Sequence, residues 1–472
     1  VIHVLIFLPA LAGLVALVSP KWARSLGLLA TAVSTVLGFG LLLEAGARVA
    51  AYVEIPLLKE AGVYYAVGAD GVGAVFAVVI PLVVFMALLA VREVPGRMIG
   101  LALLMTTGLL GIFLSLDLVL FYVFYEATLI PSLLLLGVYG GRDRVRALMK
   151  FALFTLSGSL LMLAAILAAR FVGGAESFLL RDLLAARIGG AAALWAFAAF
   201  ALAFAIKTPI FPLHVWLPDF HAQNHPSGLA DVMGTLYKVG VFGFFRWAIP
   251  LFPEAFATFQ PYLLFLAAFT ALWAAWIAYA QNDWKRMLAY GALSHMGVAA
   301  LGVFSGTQIG AVGALFLLAA SAIYTGGLFL YAGWMHTRFG SFELGPTSGL
   351  ARHAPALAAF GLILFLAMVG LPGLAGFPGE FLSLLGIWQA SPWLALLGFL
   401  AVIAAAAYVL GAYQRLFHGP PGKIVAELGG PEWGFAALAT VVIVVLGVYP
   451  ALFTAPIAEA AKAFVSVLGG GQ

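Results

Sequence analysis

Four ionisable side chains stand inside apolar runs where a lipid-facing chain should carry none. Lys207 lies in AAALWAFAAFALAFAIKTPIF, Lys238 in GLADVMGTLYKVGVFGFF, Glu126 in SLDLVLFYVFYEATLIPSLLLLGVYG and Glu380 in FLAMVGLPGLAGFPGEFLSLLGIW. A charge at bilayer depth is costly, so ionisable groups kept there mark a route for protons or ions. Burial disfavours the charged form of an acid or a base, and an opposite charge close by restores it. A lysine whose acidic partner approaches and retreats therefore gains and loses a proton near neutral pH. Glu126 and Lys207 form the natural pair, Lys238 a second station and Glu380 the terminal one. Side chains spread over four helices cannot form one direct hydrogen-bonded chain, so water must fill the gaps.

The elements that hold these groups are expected to be broken helices. Pro209 and Pro212 cannot donate to the carbonyls of Ala205 and Thr208, which leaves acceptors beside Lys207 at the negative end of a half-helix. The stretch Gly370-Leu371-Pro372-Gly373-Leu374-Ala375-Gly376-Phe377-Pro378-Gly379 interrupts a second apolar run. Pro378 suits the first position of a restarting helix, which puts Glu380 in its first turn, where the positive end favours a carboxylate. Opposite half-helix ends then account for opposite charges. Asp231 precedes Lys238 by seven residues, a spacing that sets both along one helix face.

The rest of the chain is consistent with an all-α polytopic membrane protein. Hydrophobic residues make up 64% of the 472 and charged ones 9%, too few to cover a water-facing surface. The net charge of +4 is small and scattered, so no nucleic-acid partner is expected. Zero cysteines exclude disulfides and any thiolate-ligated metal or iron-sulfur centre in this chain. Runs of about 17 to 25 apolar residues give about fourteen transmembrane helices: 1–18, 25–43, 71–91, 98–116, 118–139, 147–170, 191–213, 228–249, 259–280, 287–304, 310–335, 355–389, 393–417 and 433–454. The first, without a basic flank or a small-residue cleavage site, reads as a retained helix and not a signal peptide.

Lysine and arginine set the orientation. Turns after odd-numbered spans hold Lys21, Arg24, Arg92, Arg97, Arg142, Arg144, Arg146, Lys150, Lys285, Arg286, Arg338, Arg352, Arg415 and Lys423. The opposite side holds Arg48, Lys59, Arg170, Arg181, Arg187, Arg246 and Lys462. This two-to-one excess places both termini away from the cytoplasm. Extramembrane stretches are too short for a core of their own, so residues 1–472 form a single transmembrane domain. The tail from Pro456 to Gln472 reads as a short amphipathic helix on the outer surface. The breaks in spans seven and twelve lie five spans apart, and an odd offset reverses the direction of crossing. Spans four to eight (98–249) and nine to thirteen (259–417) thus read as two inverted five-helix repeats.

The motifs together resemble the antiporter-like proton-translocating subunits of respiratory complex I, NADH:quinone oxidoreductase, and most of all the middle fourteen-helix type. Phe121-Tyr122-Val123-Phe124-Tyr125-Glu126-Ala127-Thr128-Leu129-Ile130-Pro131 is similar to the fifth-helix motif of that subunit. So are Ala205-Ile206-Lys207-Thr208-Pro209 with His214-Val215-Trp216-Leu217-Pro218-Asp219, Asp283-Trp284-Lys285-Arg286-Met287-Leu288-Ala289-Tyr290 with Ser294-His295-Met296-Gly297, and Gly376-Phe377-Pro378-Gly379-Glu380-Phe381. Glu380 favours the middle type, since other antiporter-like subunits usually carry lysine there, and this length leaves no room for the long lateral helix of the distal subunit. The resemblance implies a proton path through Glu126, Lys207, Lys238 and Glu380, with His295 linking the central axis. It also implies a prokaryotic inner-membrane setting, with two neighbouring antiporter-like subunits and other membrane-arm subunits as partners. No cofactor is expected in this chain; flavin and iron-sulfur clusters belong to partner subunits, as do the NADH and quinone sites.

Several positions depart from the family pattern. Where relatives read Val-Glu-Ala-Pro after His221, this chain has Ala222-Gln223-Asn224-His225-Pro226, which removes an acid from the cytoplasmic edge. Where many have Ser-His-Gly in span eleven, this chain has Ala320-Ser321-Ala322, so Ser321 and Tyr324, with Thr325, are left to hold water. Asp231, His214 and His221 join Ser321 and Tyr324 as accessory candidates. His221 and His225 have i, i+4 spacing, but Pro218 and Pro226 deny them one regular helix, so we read loop histidines near the proton entrance and no metal site. The rival readings are an ion-translocating subunit of a cation/proton antiporter or membrane-bound hydrogenase and, in another class, a membrane scaffold whose buried charges only fix helix register.

Overall fold

The computed structural model describes residues 1–46, 48–91, 93–186, 188–236, 238–344, 349–419 and 424–469. Arg92, Arg187 and Lys423 of the charge count lie outside these residues. The first half runs α1 (Ile2–Val18), α2 (Ala23–Glu44), β1 (Ala50–Leu58), β2 (Val63–Ala69), α3 (Gly71–Ala90), α4 (Gly96–Leu114), α5 (Leu118–Tyr139), α6 (Arg144–Phe171), α7 (Leu180–Ala186), α8 (Gly190–Lys207), α9 (Leu217–Gln223), α10 (Leu229–Thr235), α11 (Val239–Gly243) and, after a π-helical turn, α12 (Ile249–Leu251). The second half runs α13 (Pro253–Tyr279), α14 (Trp284–Phe304), α15 (Gln308–Phe339), α16 (Leu350–His353), α17 (Pro355–Met368), α18 (Gly376–Ala390), α19 (Pro392–Phe417), α20 (Gly430–Val448) and α21 (Ala451–Gly469).

Twelve single helices among the described residues are long and apolar enough to cross a membrane. One of them, α21, does not cross. Its backbone at Pro456 abuts Gly71, its Ala458 carbonyl accepts from Gln308, and its Phe464 packs on Phe245 at 4.9 Å. Those partners are the same-side ends of three spans, so α21 lies across that face. The expected tail helix is present, and it begins at Ala451, five residues before Pro456. Three crossings remain to be added: α1 at seventeen residues, the broken unit α10 to α12, and the pair α17 and α18. The total is the fourteen read from the sequence.

Caps explain where several spans begin. The Asp70 carboxylate accepts from Gly73 N at 2.8 Å, Asp117 from Val119 N and Leu120 N at 2.9 Å, Asp283 from Arg286 N at 2.8 Å and Thr307 from Gly310 N at 3.1 Å. Proline opens α13, α17 and α19, where a missing N–H costs no helical bond. In lipid these caps matter more than in water, because an unpaired backbone donor finds no solvent. Helices α3, α4, α14 and α15 form the buried centre, while α6, α19 and α20 turn residues such as Leu153, Phe399 and Val441 outward to lipid.

The two capping aspartates Asp117 and Asp283 sit in matching frames. Leu118 N donates to Phe178 O and Leu180 N to Leu116 O, each at 2.9 Å, so the entry to α5 pairs with the segment after α6. Trp284 N donates to Phe342 O and Leu344 N to Asn282 O, each at 2.8 Å, so the entry to α14 pairs with the segment after α15. One frame lies on the face where α5 starts, the other on the face where α5 ends.

Two features depart from the sequence reading. The segment between α2 and α3 folds as an antiparallel β-hairpin, with Gly62 taking a left-handed φ of 72° at its turn. Tyr52, Val53, Ile55, Val63, Tyr64, Tyr65 and Val67 supply the β-branched and aromatic residues a strand pair needs. Arg181 reaches this hairpin with a forked contact to Glu54 at 2.7 and 2.9 Å, and Tyr52 donates to the same carboxylate. Arg181, through that hydrogen bond first, holds the Glu54 carboxyl below its ordinary range. The second departure is span eight, read as continuous but interrupted between α10 and α11 and again by the π-helical turn Phe244–Ala248.

Candidate functional site

Helix α8 stops at Lys207, and the chain turns irregularly until α9. The ammonium-bearing residue is thus the last of its helix, at the negative end of the dipole, and only 2% exposed. The local account of bare carbonyls needs correction. Ala205 O accepts from Ile210 N at 2.9 Å, and Ile206 O accepts from the Trp216 indole at 3.1 Å. The Ala205 and Ile206 acceptors are therefore satisfied within the break, and aromatic rings flank the Lys207 ammonium. Its Nζ lies 5.1 Å from the Tyr125 ring centre and 5.8 Å from that of Phe151. Glu126, one residue from Tyr125, bears electrostatically on Lys207, yet its Oε1 is buried without a hydrogen-bond partner. The pair read from the sequence is close enough to feel each other's charge.

The break in span eight backs onto the break in span seven. A Cβ on Gly240 would lie 2.2 Å from Thr208 Oγ1, so α11 seats directly against the residue after Lys207. Lys238 caps α11, is 4% exposed, and exerts its charge on His221 on one side and His295 on the other. Asp231 does not share a continuous helix face with it, because α10 ends at Thr235 and α11 begins at Val239. Lys238 thus stands between His221 and His295.

The second half of the axis is compact. His295 Nδ1 lies 3.1 Å from the Tyr324 hydroxyl and 3.7 Å from Glu380 Oε1, while its Nε2 is buried without a partner. Ser321 donates to Leu318 O at 3.3 Å and also meets the Tyr324 hydroxyl. Span twelve breaks between Met368 and Gly376, as expected, but α18 starts two residues before Pro378. Glu380 is consequently the fifth residue of α18 and not in its first turn. The feature that seats it is Gly370, which has a left-handed φ of 73° and lies under the carboxylate: a Cβ there would be 2.2 Å from Glu380 Oε2. The other side of Glu380 borders an apolar groove of about 410 Å³ with Phe381, Trp388 and Phe399.

A second cluster escapes the sequence reading. Lys285, which the sequence places only as a topological charge, is fully buried and lies 2.8 Å from Asp231 Oδ2. Asp231 Oδ1 is in turn 3.0 Å from His221 Nδ1 and accepts from Asn224 Nδ2 at 3.0 Å. The one signal in the sequence is the unusual Asp231 itself, whose partner is 54 residues away along the chain. Nearby, Asp219 joins Lys150 at 2.5 Å and Arg286 at 3.0 Å. Burial alone would raise the Asp219 carboxyl, but these two cations prevail and hold it below its ordinary range. His214 stands apart from both clusters, stacked on Phe211 at 5.6 Å and edge-on to Trp273 at 4.7 Å.

Residues 115–405 match the family described as NADH:quinone oxidoreductase/Mrp antiporter, TM. Over 448 residues the chain is 59% identical to NADH-quinone oxidoreductase subunit 13 of Thermus thermophilus, covering 95% of each. It is 35% identical over 412 residues to NADH-quinone oxidoreductase subunit M of Rhodobacter capsulatus, covering 83% of this chain and 80% of that one. A chain in the structure of respiratory complex I from Thermus thermophilus with bound NADH superposes with a TM-score of 0.97 at 56% identity, covering all of both chains.

Proposed function

Because the chain belongs to the membrane-subunit family of NADH:quinone oxidoreductases and Mrp antiporters, we propose that it translocates protons through Glu126, Lys207, Lys238, His295 and Glu380 as an M-type membrane-arm subunit of NADH:quinone oxidoreductase. Quinone reduction elsewhere in that complex drives the movement, and the chain acts as part of the translocase without redox chemistry of its own. Flavin and iron-sulfur clusters sit in partner subunits. The observation that carries the reading is that helix breaks in spans seven, eight and twelve each hold a buried ionisable side chain, the first two back to back and the third linked to them through His295. A scaffold would bury such groups as closed pairs, since an unpaired charge in the interior costs several kcal/mol; buried Lys238 has no ion-pair partner among the described residues.

Water completes the route. Glu126 Oε1, Thr208 Oγ1, His295 Nε2, Thr325 Oγ1, Ser383 Oγ and the Tyr408 hydroxyl are buried polar atoms without a protein partner. Buried polar atoms of this kind hold ordered water. Asp231, His214, His221, Ser321 and Tyr324 are accessory groups. The two inverted units, 98–249 and 259–417, are supported by the matching frames around Asp117 and Asp283 on opposite faces. The face rich in lysine and arginine is cytoplasmic, which puts both termini on the far side of a prokaryotic inner membrane. Relatives matching most of the chain at 59% and 35% identity are quinone oxidoreductase subunits, which favours that assembly over an antiporter complex.

The test uses the purified complex in proteoliposomes. Glu126→Gln and Lys207→Ala should leave assembly and NADH oxidation by an artificial electron acceptor intact while quinone-driven acidification falls severalfold. Normal assembly with undiminished acidification in both variants would establish the scaffold reading instead.

A further inference from the structure

Between the ends of α3 and α15 on the basic face, a cavity of about 510 Å³ is lined by Glu93, His225, Thr337, Arg338, Glu427 and Glu432. Arg338 and Glu432 pair at 2.7 Å along its wall. Much of its wall is apolar, but these charged and polar side chains line the rest, and it is roomy enough for several waters. Behind His225 lies the buried cluster of Asp231, Lys285, His221 and Asn224, which the path through Glu126, Lys207 and Glu380 does not use.

The hydrogen bonding of this cluster is two-sided. An ammonium has three donors; Lys285 Nζ donates to Asn224 O at 2.8 Å and His225 O at 3.3 Å and lies 2.8 Å from Asp231 Oδ2 as an ion pair. It can lean toward the carboxylate or toward the two carbonyls without losing every partner. An ionised carboxylate only accepts, so His221 carries its proton on Nδ1 and presents Nε2 as the free base. That edge faces Gly234, one turn before Lys238, where a Cβ would lie 3.5 Å from Nε2. The ring is fixed by stacking on Phe329 at 4.4 Å. No acid stands at 222–225, so Asp231 supplies the carboxylate from α10.

We propose that the Asp231–Lys285 ion pair gates a proton inlet running from this cavity past His225 and through His221 to Lys238. The inference rests on the proton-translocation reading above. With Lys285 on Asp231, the carboxylate is neutralised and His221 stays uncharged. When Lys285 leans to the Asn224 and His225 carbonyls, the freed charge of Asp231 stabilises an imidazolium. A proton from cavity water then bonds to His221 Nε2. That N–H bond breaks as the proton passes by water to the unprotonated Lys238 amine. Lys238 ends as an ammonium, and His221, Asp231 and Lys285 return unchanged. Asp231 and Lys285 are positioning residues; His221 carries the proton.

The experiment compares three variants of the complex in proteoliposomes. Asp231→Asn with Lys285→Gln replaces the pair by two neutral amides that can still hydrogen-bond each other. A structural pair would recover both assembly and pumping in this double variant. A gate recovers assembly, while protons moved per electron pair fall by half or more. His221→Gln keeps a donor toward Asp231 without a relay base and should show the same loss, and it decides the matter if the double variant fails to assemble. Wild-type pumping in an assembled double variant, or in His221→Gln, overturns the gate. Lys207→Ala run alongside separates the two readings: if it alone loses pumping, the gate falls and the translocation path stands; if it too pumps normally, both fall.

Discussion

Gly370 offers the sharpest test of how the fold seats its chemistry. In Gly370→Ala the new Cβ meets Glu380 Oε2 at 2.2 Å, and ordinary contact begins at 3.4 Å, so the carboxylate must withdraw by about 1.2 Å. A left-handed backbone costs an L-residue about 1–2 kcal/mol, and displacing a reacting group by about 1 Å can cost on the order of a hundredfold in rate. Gly373 isolates the first effect from the second: it has a left-handed φ of 92°, and a methyl added there would meet nothing within 4 Å. Gly373→Ala should therefore lower thermal stability of the complex slightly and leave pumping unchanged. Gly370→Ala carries similar strain and should reduce quinone-driven acidification per assembled complex on the order of tenfold. Adding Glu380→Asp, shorter by one methylene, should restore part of the loss. Equal effects of the two glycine substitutions on pumping would refute the claim that Gly370 seats Glu380.

Gly313→Ala drives a methyl to 2.3 Å from the Ser383 backbone nitrogen where α15 crosses α18, and should lower the melting temperature of the assembled complex measurably, whereas a melting curve like wild type would mean the crossing is looser than described. Phe464→Ala empties the contact with Phe245 and should destabilise by about 3–5 kcal/mol at most without changing protons moved per electron pair; a changed ratio would give α21 a part in conduction. The lowered carboxyl of Asp219 contributes stability that is present above the unfolded value of about 3.9 and is lost as pH falls through the lower folded value. Thermal stability should accordingly decline below about pH 4, and less steeply in Asp219→Asn, as followed by scanning fluorimetry of the purified complex.

What is legible in the sequence is whatever depends on local composition. Apolar run length yields fourteen crossings, and the proline and glycine clusters at 208–212 and 370–379 mark two of the three breaks, because both signals are short-range. The break between α10 and α11 carries no proline, and its cause is tertiary: α11 must press Gly240 against Thr208. The β-hairpin is hidden from a length criterion that asks only whether 44–70 could fold alone. It need not, since Arg181 and the Phe178 backbone tie it to the rest. Lys285 is the most consequential residue to escape notice. By sequence it belongs to a basic turn, and only the return of the chain from α9 to α10 buries it against Asp231. The start of α18 differs from expectation for a related reason, because proline is permitted at several positions of a first turn and Gly376 leaves room for the helix to begin earlier.

The charges on the axis have an order that follows from burial. The first unit carries its fixed-depth bases, Lys207 and Lys238, and the second carries the acid Glu380, with His295 between Lys238 and Glu380. A proton moving from a charged Lys238 to an ionised Glu380 turns two buried charges into two neutral groups. In a low-dielectric interior that step is downhill, because each uncompensated charge is disfavoured by several kcal/mol. The reverse step recreates both charges and is correspondingly uphill. On the proposed path, reloading Lys238 would have to come from elsewhere, which is the part the proposed inlet at His221 would play, and Glu380 would have to lose its proton on its far side. On the proposed path, the matching frames at Asp117 and Asp283 would support two similar half-scaffolds, and the step from the lysines of one to the acid Glu380 of the other would give the passage a direction.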